Sequence, residues 1–179
     1  MKQALQHLPH KQMKEIVILI IGVILLGACQ KTDSFNTADE MVQTASKNLS
    51  TITVDELKTK IDSFEMFNLI DVREPSEHNH GYIPGSVNIP RGTLEFNIGN
   101  EDFWESTGFY YPEKNELFVL YCKKGSRSIL AAETLKKLGY ENIYFLDGGW
   151  KKWELTFPLL QDKNLELESH GAAEEVGGC

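Results

Sequence analysis

The chain has 179 residues, a formal net charge of -8, 41% hydrophobic and 25% charged residues, which is the composition of a globular protein with room for one domain of ordinary size. The acidic balance excludes a nucleic-acid binder that works through a basic surface. Fourteen glycines and six prolines are too few for a fibrous or low-complexity chain, and there is no internal repeat and no nucleotide-binding glycine pattern.

In chain order, the first element does not belong to a core. Lys2, Lys11 and Lys14 precede the apolar run Ile16–Leu26. That run falls within the about 7 to 15 residues of an export signal's hydrophobic region and short of the roughly 20 that span a bilayer. Gly27 and Ala28 then lead to Cys29, and "LGAC" resembles the lipobox of bacterial lipoproteins, whose cysteine is lipidated and becomes the mature N-terminus. The resemblance implies a signal peptide over residues 1–28, with translation starting at Met1 or Met13. It also implies an exported protein held at a membrane, periplasmic or elsewhere in the cell envelope, through lipid at Cys29. Two hydrophobic signals suffice for stable anchoring. An uncleaved anchor and a buried helix around Cys29 are the alternatives. Removing residues 1–28 takes away three lysines and one glutamate and leaves 15 basic against 25 acidic residues, a net charge of -10.

Residues 29–49 are polar and read as a tether, with a short helix possible around Asp39–Lys47. A domain is expected over 50–154. Thr53, three positions before Glu56 and followed by Val54, Leu57 and Ile61, predicts a helix with a capping box. "FNLIDVR" (67–73), "SVNIP" (86–90), "ELFVLYC" (116–122) and "NIYFLDGG" (142–149) read as strands, the third apolar on consecutive positions as in a strand buried on both faces. "SILAAETLKKLGY" has helical periodicity ending at Gly139. "WKKWEL" closes the domain as a short helix, and 155–179 reads as a flexible tail. The aromatic stretch 102–115 is expected to be a loop over the core. Strands alternating with helices imply a three-layer α/β/α fold with a mostly parallel sheet.

Sites on such a sheet form beyond the carboxyl ends of its strands, where "CKKGSRS" (122–128) lies. Lys123, Lys124 and Arg127 stand at a helix N-terminus, where each cation costs about 0.3–1 kcal/mol through the helix dipole. Three of them there make sense only if an anion offsets the repulsion. Gly125 frees the backbone to turn amides inward with Ser126, forming an anion-binding nest. The nearest candidate anion is Cys122 itself: thiols ordinarily titrate near 8.5 and fall to about 3.5–7.5 in such surroundings. Cys122 is therefore expected to be a standing thiolate nucleophile.

These residues resemble the active-site loop of rhodanese-family sulfurtransferases, a cysteine and an arginine separated by four residues. "LIDVREPSEHNHGYIPGSVNIPRG" (69–92) and "YFLDGGWKKW" (144–153) look like that family's first and closing signatures, and together the matches run from near Ser50 to Trp153. The resemblance implies a five-stranded, mostly parallel sheet with helices on both sides and a persulfide carried on Cys122. A donor such as thiosulfate would supply the sulfur, and a thiol or cyanide would accept it without any cofactor. It also implies supporting roles for Asp71 and Arg73, the latter expected to pair with a carboxylate such as Glu77. His78 and Tyr82 depart from the pattern, standing where an aromatic and a histidine are more usual. Cysteine phosphatases resemble one another in having five residues between cysteine and arginine, so the loop here is a smaller cradle.

Other signals carry less. "HNH" (78–80) has no further ligand-spaced partners, so no metal is expected. Cys179 ends a glycine-rich tail of reach roughly 25 Å. It is either a trivial terminus or a resolving thiol for Cys122. A non-enzymatic persulfide carrier serving one protein, and a thiol-redox protein using Cys122 and Cys179, are the competing readings.

Overall fold

The computed structural model describes residues 34–164, together with Lys14; the rest of the expected leader, Cys29 and Cys179 lie outside them. From Asn36 onward the described residues belong to one compact unit. Its helices are α1 (Ala38–Ser46), α2 (Val54–Asp62), α3 (Pro75–Asn79), α4 (Leu94–Asn97), α5 (Glu101–Thr107), α6 (Ser126–Lys137) and α7 (Gly149–Thr156). The strands are β1 (Ser50–Ile52), β2 (Asn68–Asp71), β3 (Val87–Asn88), β4 (Leu117–Tyr121) and β5 (Asn142–Leu146). They form one sheet in the order β1-β5-β4-β2-β3, with every pairing parallel. Among the described residues, no helix is long and apolar enough to cross a membrane.

The sheet is buried on both faces, and its strands alternate between two cores. On β4, Phe118 and Leu120 point into a core shared with Leu94, Ile98, Trp104, Ala131 and Leu135 from α4, α5 and α6, and Cys122 continues that parity. Val119 and Tyr121 point the other way, against Leu57 of α2 and Trp150 and Trp153 of α7. The thiol therefore emerges on the α6 side of the central strand, where the first turn of that helix begins.

The predicted capping box is present. Thr53 Oγ1 accepts from the Glu56 amide at 3.2 Å while the Thr53 amide donates to Glu56 Oε2 at 2.8 Å. The possible helix near residue 39 is α1, which buries Ala45 and packs on α6, with Lys136 Nζ donating to the Asn48 carbonyl at 2.7 Å. Residues 102–115 are not simply a covering loop. Asn100 caps α5 by accepting from the Phe103 amide at 3.3 Å, Gly108 ends the helix at φ +75°, and Trp104 is a core residue. Residues 155–164, placed in the expected tail, include the last turn of α7 and a return segment: Asp162 and Tyr82 exchange backbone hydrogen bonds at 2.9 and 3.0 Å.

Candidate functional site

Three sequence segments meet because β2, β4 and β5 are neighbours that end at the same sheet edge. Asp71 lies in register with Tyr121, and Leu120 with Phe145. The "DVRE" corner therefore sits beside the loop that follows β4, and the glycine pair after β5 sits on its other side. Such an edge is where parallel sheets bind ligands.

Cys122 is buried, 2% exposed, and its Sγ accepts a hydrogen bond from the Gly125 amide at 3.1 Å. Gly125 adopts φ +116° as the N-cap of α6, a backbone state that favours glycine. Its carbonyl is held by Ser128 Oγ and the Ile129 amide, both at 2.9 Å. Among the described residues, the amides of Lys123, Lys124, Ser126 and Arg127 have no acceptor. The carbonyls on the same loop are occupied from behind: the Trp150 amide donates to the Cys122 carbonyl at 2.8 Å and the Lys151 amide to that of Lys123 at 3.0 Å. Anchoring the oxygens on one side leaves the amide hydrogens for the other, a main-chain nest at a helix N-terminus.

Gly149 makes this docking possible. It lies at φ +58°, and a Cβ there would lie well inside van der Waals distance of the Cys122 carbonyl oxygen and 3.1 Å from both the Lys123 carbonyl carbon and the Lys124 amide nitrogen. No side chain fits, so the "GG" of the closing segment is a close-approach device. Nothing in helical or strand periodicity marks it; the doublet at a strand end, before a tryptophan, was the available signal.

The buried corner next to the loop differs from expectation in its pairing. Arg73 does not pair with the Glu77 carboxylate. Its Nε lies 2.9 Å from both Asp71 oxygens and its Nη2 2.6 Å from Oδ2. Toward α3 it donates only to main-chain carbonyls, those of Glu77 at 3.2 Å and Gly81 at 2.8 Å. The reason is geometric: α3 starts at Pro75, after Arg73, so the two side chains do not share a helix face. The Arg73 guanidinium lies 4.8 Å from the Trp150 ring and 5.5 Å from the Tyr121 ring. Burial alone would raise Asp71; hydrogen bonds from His78 and Arg73 and the guanidinium charge outweigh it and hold the carboxyl below its ordinary value. The same Asp71 contacts, working against burial, hold Arg73 above its own.

His78 and Tyr82, the two positions expected to depart from the pattern, meet in the structure. Their rings stack with centroids 4.0 Å apart and an interplanar angle of 12°, and His78 Nδ1 lies 2.9 Å from Asp71 Oδ2. Among the described residues no cluster could hold a metal ion; His80 turns back to the Ser76 carbonyl at 2.5 Å.

The Glu77 carboxylate goes to Arg127, with Nη1 to Oε2 at 2.5 Å and Nη2 to Oε1 at 2.8 Å. The Arg127 hydrogen bond is the largest cause that lowers Glu77, and Glu77 in turn is the largest that raises Arg127, with the Cys122 sulfur a smaller cause in the same direction. Lys123 and Lys124 are exposed. A cleft of about 380 Å³ opens beside the loop, lined by Arg73, Glu77, Lys123, Lys124, Trp150 and Lys151 among others. Residue patterning pointed to the loop cations but missed Trp150 and Lys151, which α7 brings in from 28 and 29 residues downstream of the cysteine.

A protein-family model described as a rhodanese-like domain matches residues 53–156, more than half of the chain. A putative mitochondrial thiosulfate sulfurtransferase of Schizosaccharomyces pombe is 42% identical over 87 residues, 48% of this chain and 61% of that protein. The putative sulfur carrier protein YrkF of Bacillus subtilis is 33% identical over 112 residues, 61% of this chain and 55% of that protein. The chain thus spans about three fifths of the length of these relatives. Among solved structures, the human single-domain sulfurtransferase TSTD1 matches with a TM-score of 0.55 and 28% identity over 59% of this chain and 96% of that one.

Proposed function

This chain belongs to the rhodanese-like domain family, and from that premise we propose that it transfers sulfane sulfur through a persulfide on Cys122. The single observation that carries this reading is the position of the sulfur: at the carboxyl end of the central strand, bonded to the Gly125 amide in a loop whose other amides have no acceptor among the described residues.

The chemistry closes without an external oxidant or reductant. The Cys122 thiolate attacks the outer sulfur of a donor such as thiosulfate, the bond from that sulfur to the sulfonate sulfur breaks, and sulfite leaves with the electron pair. The terminal sulfur of the resulting persulfide carries the charge, which the nest amides stabilise. A thiolate or cyanide acceptor then attacks that terminal sulfur and breaks the sulfur–sulfur bond. Cys122 thiolate is regenerated, and the product is a new persulfide or thiocyanate. Burial of Cys122 keeps bulk water from the intermediate.

Two substrates reacting in turn on one sulfur require ping-pong kinetics. Steady-state rates with thiosulfate and cyanide varied together are expected to give parallel double-reciprocal lines, and Cys122→Ser to abolish turnover. Intersecting lines, or turnover in the serine variant, would refute the scheme. A carrier that takes sulfur from one protein only would show no turnover with small donors yet charge Cys122 when given that protein.

The leader sequence supports a further part of the reading, that the domain is exported and anchored through lipid on Cys29. Metabolic labelling with a radioactive fatty acid is expected to mark the wild-type chain and not Cys29→Ala. Equal labelling of both would sink it.

A further inference from the structure

Sequence alone makes Arg127 one of three cations that receive an anion at Cys122. The structure gives it a different employment. Its guanidinium forks onto the Glu77 carboxylate through two hydrogen bonds, and Glu77 is held for that purpose from several directions. Glu77 Oε2 also accepts the Glu74 amide at 3.2 Å, closing the capping box of α3. The helix is tied to the buried corner by Arg73, which donates to the Glu77 carbonyl, and by His78, which meets Asp71. Two opposite unit charges in bidentate contact act at a distance as a dipole, whose potential falls off faster than that of either charge alone. Lys123 and Lys124, by contrast, are exposed and make no salt bridge among the described residues, whose ion pairs at this edge join Asp71 to Arg73, Glu77 to Arg127, Glu154 to Lys151 and Asp147 to Lys152.

We propose that Glu77 is a positioning residue that clips Arg127 into an ion pair, so that most of the arginine's field is spent on Glu77 and an anion approaching Cys122 is drawn chiefly by Lys123, Lys124 and the loop amides. The clip joins α3 to the second residue of α6 and so fixes the first turn of that helix beneath the nest. It has a consequence for specificity. The attraction for an anionic sulfur donor is tuned at positions 123 and 124, and Arg127 serves the shape of the cradle. The proposal rests on the sulfur-transfer reading only in taking Cys122 as the reacting atom.

The test uses the full-length chain and two alkylating probes of similar size, anionic iodoacetate and neutral iodoacetamide. Adducts are mapped to Cys122 by peptide mass spectrometry, which keeps Cys29 and Cys179 out of the readout. The ratio of the two rates reports local potential, and a change in loop packing alone moves both rates together. Glu77→Gln unmasks Arg127 and is expected to raise the iodoacetate-to-iodoacetamide ratio roughly 3- to 10-fold, the effect of one nearby charge in a surface-like dielectric. Arg127→Gln unmasks Glu77 and lowers the ratio by a similar factor. The Glu77→Gln/Arg127→Gln double variant removes a neutral pair and returns to within about twofold of wild type, whereas Lys123→Gln/Lys124→Gln falls well below it. A double variant as low as Arg127→Gln alone would overturn the proposal, since Arg127 would then be lending its charge to the sulfur. An unchanged ratio in Glu77→Gln would overturn it too. These ratios are readable whether or not thiosulfate is a substrate, so failure of the wild-type chain to take up sulfur, with the ratios as expected, would count against the sulfur-transfer reading and leave this one standing.

Discussion

Replacing Asp71 by asparagine keeps its shape and removes its charge, leaving the Arg73 guanidinium buried between Trp150 and Tyr121 without a counter-ion. Breaking a buried pair from one side costs about 3–5 kcal/mol, and the urea midpoint of Asp71→Asn is expected to drop accordingly. A loss under about 1 kcal/mol would show that Arg73 does not depend on this partner. At Gly149 the expected damage is to position. Alanine there combines a strained φ with a collision against the Cys122 carbonyl, so Gly149→Ala should lose about 1–3 kcal/mol of stability. It should also react more slowly at Cys122 with iodoacetamide, measured under native conditions. Unchanged stability and reactivity would mean that the loop does not rest on α7. At this scale the sequence indicated which residues gather at the loop better than it indicated their partners. The Cys122 to Arg127 spacing and the loop cations were plain. Which carboxylate meets which arginine was not, because that depends on where α3 begins and which way it faces.

Among the elements, α2 ends in an unusual way. The Glu65 amide donates to the Lys60 carbonyl and the Phe64 amide to that of Ile61, both at 3.1 Å, with Phe64 at φ +54° and 90% exposed. This is the hydrogen-bond pattern of a Schellman motif, in which glycine normally occupies the left-handed position. A phenylalanine there bears the left-handed strain, about 1–2 kcal/mol, and gains almost no burial. Phe64→Gly is expected to stabilise the fold by about 0.5–1 kcal/mol, less than the full strain because glycine gives the unfolded chain more freedom; a lower urea midpoint would contradict this. The elements with strong local signals, α2 by its capping box and α6 by its period and terminal glycine, were legible from sequence. β1 was not: three residues at a sheet edge carry too little pattern, and its pairing with β5 spans some ninety residues. In the stretch holding α5, aromatics on every side masked a seven-residue helix whose Asn100 cap and Gly108 stop were the usable clues.

For the molecule as a whole, the carboxylates that hold the site together also set its response to acid. Asp71 and Glu77 are both held below their ordinary values of 3.8 and 4.5. With folded values depressed, the unfolded chain takes up protons first as pH falls. The stability these groups contribute is therefore complete above their ordinary values and is lost as pH falls through the folded ones. Urea midpoints should be flat, as far as these two groups are concerned, from about pH 7 to about 5.5 and should decline below about 4.5, and Asp71→Asn should decline less. A wild-type midpoint at pH 3 equal to that at pH 7 would contradict the assignment. The three-layer architecture was readable in advance because alternating strand and helix patterns leave few topologies for a parallel sheet. The site's geometry was not, since it forms only where three strand ends distant in sequence converge. The most direct test of the account is the mass of the Cys122 peptide after the full chain is incubated with thiosulfate. The prediction is one added sulfur atom, discharged by cyanide and absent from Cys122→Ser; a Cys122 left unmodified by both thiosulfate and a low-molecular-weight persulfide would contradict it.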